Sequence, residues 1–160
     1  MAGLLELTVL AAAIGSGIAG GIFFAFSSFV MSALGRVAPA EGMRAMRAIN
    51  VAVINPTFMI VFLGTALLCA GVAVVSLLRW EMPGSGLRLG ASLLYTLGCF
   101  GSTLAFNVPL NSGLAAIGDS AESAEFWARY RREWTRWNHV RTIAAIGAAV
   151  LFTISLRAMG

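Results

Sequence analysis

The nine residues WTRWNHVRT, from Trp134 to Thr142, hold the chain's one histidine, two of its four tryptophans, two arginines and an asparagine. Histidine is the side chain suited to acid–base work near neutral pH, so His139 is the candidate catalytic base. Arg141 and the amides of Asn107 and Asn111 in NVPLN are donors able to hold a developing oxyanion in a dry site. Trp134 and Trp137 offer flat walls to an aromatic ligand. With Asn138, Asn111, Asn55 and Asn50 they form a candidate substrate-binding set. No metal is expected: a single histidine gives haem a proximal ligand but no bis-histidine pair and no multidentate site. Cys69 and Cys99 are too few for structural zinc and read as buried thiols at similar depth.

The elements that carry these residues are set by a composition that is 59% hydrophobic and only 11% charged, where a soluble domain carries roughly a quarter charged residues. Charge-free intervals imply membrane spans near residues 7–31, 57–78, 88–108 and 138–157, since about 20 apolar residues cross a bilayer as a helix. Backbone groups in lipid must be satisfied within each segment, so the expected fold is an all-α, integral membrane four-helix bundle in a single transmembrane domain. The first span has no basic n-region and runs far past a signal core, so it is read as a retained helix. Its GSGIAGG has small residues at four-residue spacing, which suits either close intramolecular packing or a homo-oligomer through the first helix. In the first loop, Met43, Met46, Ile49 and Val53 recur at helical spacing opposite Arg44 and Arg47, as in an interfacial amphipathic turn. Asp119 and Glu122 resemble a capping box that starts an amphipathic helical extension before the fourth span. All eleven basic residues are arginines, which with the apolar composition argues for the lipid bilayer and against nucleic acid as a partner.

Only fifteen residues separate Arg141 from Arg157, about 22 Å of helix against a hydrocarbon core of roughly 30 Å. The WTRWNHVRT segment is thereby drawn to the membrane boundary. Alternation of spans brings Ser27, Ser28 and Ser32, Asn50, Asn55 and Pro56, and Asn107, Pro109 and Asn111 to the same level. Tyr95, Cys99, Thr103 and Asn107 fall every four residues and give the third span one polar stripe. Each signal has a plainer reading: an interface belt for Trp127, Trp134 and the nearby arginines, interhelical bonds for the asparagines, an idle interfacial residue for His139. At 100° per residue, Trp127, Tyr130, Trp134, Trp137, Asn138 and Arg141 share one stripe, whereas His139 lies roughly 160° from Arg141. A regular helix cannot aim both into one pocket. Eight arginines at this level against three at the other put the polar layer in the cytoplasm by the positive-inside rule.

The segments INVAVINPTF, NVPLN, W..Y...W..WNHVRT and AGGIFFAFS together resemble the anthrone oxygenase-like family of small four-helix membrane proteins, many of them bacterial. The resemblance covers nearly the whole chain and implies a protein of a bacterial inner membrane. Fungal relatives oxidise anthrones to anthraquinones with molecular oxygen and no evident cofactor. The resemblance therefore implies a cofactor-independent oxygenase acting on a lipophilic aromatic small molecule, and it supplies no catalytic residues. The alternative is a non-catalytic membrane protein that binds a lipophilic small molecule or assists a partner complex.

Overall fold

The computed structural model describes residues 2–117 and 122–158, all in helices and short connections without a strand. Helix α1 is α-helical over Ala2–Ala25, π-helical over Phe26–Val30 and α-helical again over Met31–Leu34. A short helix α2 spans Pro39–Ala52 and α3 spans Pro56–Leu78. Helix α4, Ser85–Ala116, contains two π segments, Leu94–Gly101 and Thr103–Asn107. Helix α5 covers Glu122–Arg157 without a break. Asp119 lies outside the described residues, as does the side chain of Glu122, so their capping pair does too.

Four helices are long and apolar enough to cross a membrane, and their outer faces expose Ile14, Leu67, Leu78 and Ile143. A soluble monomer does not show such a surface on every side. The chain is an integral membrane protein. The spans pack in a ring, α1 against α3, α3 against α4, α4 against α5 and α5 back against α1, with α5 making the two most extensive seams, to α1 and to α4.

Small residues make that seam close. Ala12, Ala13, Ser16 and Ala19 of α1 and Ala144, Ala145 and Ala148 of α5 are buried. A Cβ on Gly20 would stand 2.9 Å from the Ile146 side chain. Gly15 and Gly20 thus serve packing within the chain, while Gly21 meets nothing within 4 Å. At the far end of the bundle Gly84 adopts φ 79° in the α3–α4 turn, a conformation favoured by glycine. Arg88 closes this turn by donating to Pro83 O and Ser85 Oγ.

At the other end a second cluster forms from Met31, Met43, Met46, Leu114, Trp127, Tyr130 and Trp134. Three expectations change here. The apolar face of α2 does not lie in the membrane interface; Met43 and Met46 are buried in this protein cluster. Arg47 is not a free interfacial charge, because it donates to Leu114 O and Ile117 O at 2.9 and 2.6 Å and closes the end of α4. Trp127 and Trp134 are each 3% exposed and so are core residues rather than an interface belt. Close approach of α2 depends on Gly42, where a Cβ would lie 2.7 Å from Leu34 O and 2.8 Å from the Trp127 ring. Gly42→Ala is expected to destabilise the cap by about 1–3 kcal/mol through overpacking, read as a lower thermal midpoint in detergent.

Candidate functional site

One stripe of α5 supplies the centre of the site. Trp127, Tyr130, Trp134, Asn138 and Arg141 are all buried along it, at the spacing that keeps residues on one helical face. Trp137 departs from this set: it is half-buried and stacks on Phe106 at 3.4 Å on the outer side of the α4–α5 seam.

Arg141 lines a cavity of about 280 Å³ between α1, α2, α3, α4 and α5. Its guanidinium carbon sits 4.2 Å from the Phe23 ring centroid and 4.7 Å from that of Trp134, two cation–π contacts that suit a planar cation. Its Nε donates to Asn138 Oδ1 at 2.9 Å, and no carboxylate among the described residues opposes it. Asn138, fully buried, donates through Nδ2 to Phe23 O and to Ser27 Oγ, both at 2.7 Å. Every polar group of the Asn138 amide is therefore engaged, and the side chain clamps Arg141 to α1.

The remaining walls are apolar, with six rings, Phe23, Phe26, Phe58, Phe62, Phe100 and Trp134, set among aliphatic side chains. Phe62 contacts Phe23, Phe58 and Phe100 with centroids 5.4–6.1 Å apart, inside the range of favourable aromatic pairs. Two amides complete the lining. Asn111 Oδ1 accepts from Tyr130 Oη and from Trp134 Nε1, each at 2.9 Å, so the group it offers a ligand is its NH₂. The Nδ2 of Asn50 is buried without a partner. The cavity therefore presents one cation and two amide donors within an aromatic enclosure.

The three π segments all contribute to this wall, through Phe26, Phe100 and the pair Thr103 and Leu104. An α-helix rotates residues four apart by about 40° per step. Bonding to i+5 widens the turn, and Tyr95, Cys99 and Asn107 all remain fully buried along the four-residue stripe. Toward its N-terminal end α3 parts from α4: it packs chiefly on Ser85–Leu93 and Leu94–Gly101 rather than on Thr103–Asn107. Ile54, Leu63, Leu104 and Val108 line the cavity while being exposed on the outer surface, so the mouth opens sideways toward lipid.

Four candidate residues stand elsewhere. His139 is exposed and faces a separate groove on the other side of α5, with Nδ1 2.9 Å from Ser27 Oγ. It does not line the Arg141 cavity, the outcome that the helical angle between the two residues required. Asn107 reaches across to α5, donating to Trp134 O at 3.3 Å, and does not line the cavity. Asn55 is the N-cap of α3, accepting from Phe58 N at 3.0 Å and donating to Ala52 O at 2.9 Å. Trp137 is the fourth. The structure thus brings together Arg141, Trp134, Asn111 and Asn50, with Asn138 behind Arg141. It also adds the phenylalanines and Ser27, whose hydroxyl meets Asn138, His139 and Thr142. The FF and F in IFFAF, and Phe58 and Phe62 four residues apart, were the only sequence signal for that aromatic wall.

A sequence profile of the anthrone oxygenase family matches residues 58–151, more than half of the 160-residue chain. The chain belongs to the anthrone oxygenase family. In this family member the matched segment holds α3, α4 and most of α5, and with them Arg141, Trp134, Asn138 and Asn111. Phe23, Ser27 and Asn50 come from the part before it. No curated protein and no solved structure matches the chain. Metal-binding groups of three or more histidine, cysteine or acidic residues are absent among the described residues.

Proposed function

We propose that this family member is a membrane oxygenase that takes a flat, acidic, lipophilic anthrone from the bilayer into the Arg141 cavity and oxidises it with molecular oxygen, without a bound cofactor. Arg141 is the observation that carries the reading. A guanidinium held over two rings, with no opposing carboxylate, is costly in an apolar enclosure unless a ligand supplies negative charge. A volume of about 280 Å³ lies at the lower limit of small-molecule pockets and suits a compact ring system.

The chemistry balances without an external reductant. Loss of a methylene proton converts the anthrone to an enolate, whose charge rests largely on the ketone oxygen. Arg141 holds that oxygen, and the amides of Asn111 and Asn50 add donors, so the electron-rich anion forms in a preorganised site. Electron transfer to oxygen and formation of a C–O bond give a peroxide anion at the former methylene carbon, which takes a proton back from water to become the hydroperoxide. Loss of its second proton with cleavage of the O–O bond releases water and leaves the new carbonyl. One anthrone and one O₂ thus give one anthraquinone and one water. Arg141 is the one titratable side chain lining the cavity, so the first proton passes to water. Asn50 and Asn111 also border an open recess that reaches Arg47, which gives that water a path. His139 is not needed as the base.

A cation without a neighbouring base also favours a second reading, a protein that binds a lipophilic acid without turning it over. Oxygen uptake with emodin anthrone, corrected for autoxidation, separates the two. The expected result is uptake proportional to protein concentration, with one O₂ consumed per quinone formed. Uptake at the background rate, with the anthrone still bound, would leave the binding protein.

A further inference from the structure

On the other side of α5 from the cavity, Ser27 and Ser32 of α1 and Arg131, Arg132, Arg136 and His139 of α5 line an open groove of about 460 Å³. The proposed reaction makes no use of it. No carboxylate among the described residues lines it. Arg131 is fixed at its upper end, its guanidinium carbon 5.8 Å from the Trp127 ring centroid and packed against the backbone of Gly35. Arg132 and Arg136 are exposed.

The stripe that carries these charges does not stop at His139. Arg132, Arg136, His139, Ile143, Ile146 and Val150 follow one another at four- and three-residue intervals along one face of α5. Ile143 is 73% exposed and Val150 51%, in the part of α5 where the bundle meets acyl chains. The change from Arg136 to Ile143 takes about two helical turns with His139 between them, so the groove lies at headgroup level with a lipid-facing track running directly below it. A soluble phosphate compound would use the arginines and hydroxyls but not that track. We propose that this groove is a binding site for an anionic glycerophospholipid, with its phosphate among Arg132, Arg136 and the exposed Ser32 hydroxyl and its chains along Ile143 and Val150. Arginine and hydroxyl donors are the groups that recognise a phosphate diester. The site is independent of the proposed oxygenase activity, and its test does not involve turnover.

Native mass spectrometry of the purified protein with an equimolar mixture of phosphatidylglycerol and phosphatidylcholine of the same acyl chains provides that test. The wild type is expected to retain phosphatidylglycerol with a preference of roughly tenfold or more, consistent with the attraction of each basic side chain for an anionic membrane surface. Arg132→Gln combined with Arg136→Gln should remove most of the preference. Arg44→Gln with Arg129→Gln, which deletes two exposed charges outside the groove, should keep it. Ser32→Glu, an exposed change that leaves the arginines in place, should also weaken retention and covers the case in which the double variant is not recovered folded. Equal retention of the two lipids by the wild type would overturn the proposal. So would an equal loss in both arginine pairs, which would mean a diffuse charge effect. Displacement of the lipid by millimolar glycerol 3-phosphate would overturn it in favour of a soluble phosphate ligand.

Discussion

Arg141→Met is expected to lower anthrone oxidation by roughly 10²–10³-fold, the usual loss when one donor to a developing oxyanion is removed, while the bundle still folds. The two halves of this expectation have separate physical origins. Catalysis falls because the ketone oxygen loses the one charged group in the cavity. Folding survives because replacing a buried charge by an apolar side chain of similar length relieves its desolvation. Against that gain, Asn138 Oδ1 loses the donor it now has at 2.9 Å, a cost of about 1–3 kcal/mol. The opposing terms leave stability near the wild-type value, as thermal unfolding in detergent will report. Arg141→Lys keeps the charge but not the planar fork over Phe23 and Trp134, and its activity should fall between the two.

Asn138→Leu should harm both activity and stability. The side chain makes three hydrogen bonds, to Phe23 O, Ser27 Oγ and Arg141 Nε. Polar contacts between membrane helices average about 0.6 kcal/mol and reach about 1.7 kcal/mol, so losing all three costs about 2–5 kcal/mol. Arg141 would keep its charge but lose its mooring, and a displacement near 1 Å can cost on the order of 10²-fold in rate. Asn138 is thus a positioning residue. With Arg141→Met, activity falls at constant stability; with Asn138→Leu, both fall together, and comparison of oxygen uptake with thermal midpoints distinguishes the two patterns.

The four spans were legible because lipid excludes charge, so charge-free runs alone mark them. The buried stripe from Trp127 to Arg141 was legible through helical periodicity, which also separated His139 from Arg141. Periodicity could not separate Trp137 from Trp134, because neighbouring positions on a broad stripe differ only in what the next helix presents. For Trp137 that is Phe106, outside the cavity. The phenylalanine wall was hidden for a compositional reason: in a membrane protein a ring facing lipid and a ring facing a cavity look alike in sequence. Helix α2 illustrates the same ambiguity, since Met43 and Met46 would form an identical pattern against a bilayer or against Trp127. The π segments have no residue signature, and they carry Phe26, Phe100 and Thr103 into the wall. Asn55 and Asn107 are taken by backbone partners, at the end of a helix for Asn55 and across the α4–α5 seam for Asn107, which spacing alone does not reveal.

The claim that Arg141 makes the cavity a receptor for a flat organic anion is tested most directly by equilibrium binding of an oxygen-stable hydroxyanthraquinone, followed through quenching of tryptophan fluorescence. Wild-type protein should bind the ionised phenolate at least roughly tenfold more tightly than Arg141→Met does, a difference of about 1.4 kcal/mol. Both proteins should bind uncharged anthracene equally. His139→Gln should bind the phenolate as the wild type does. Equal phenolate affinity in wild type and Arg141→Met, or a loss confined to His139→Gln, would contradict the assignment of the cavity and move the site to the other face of α5.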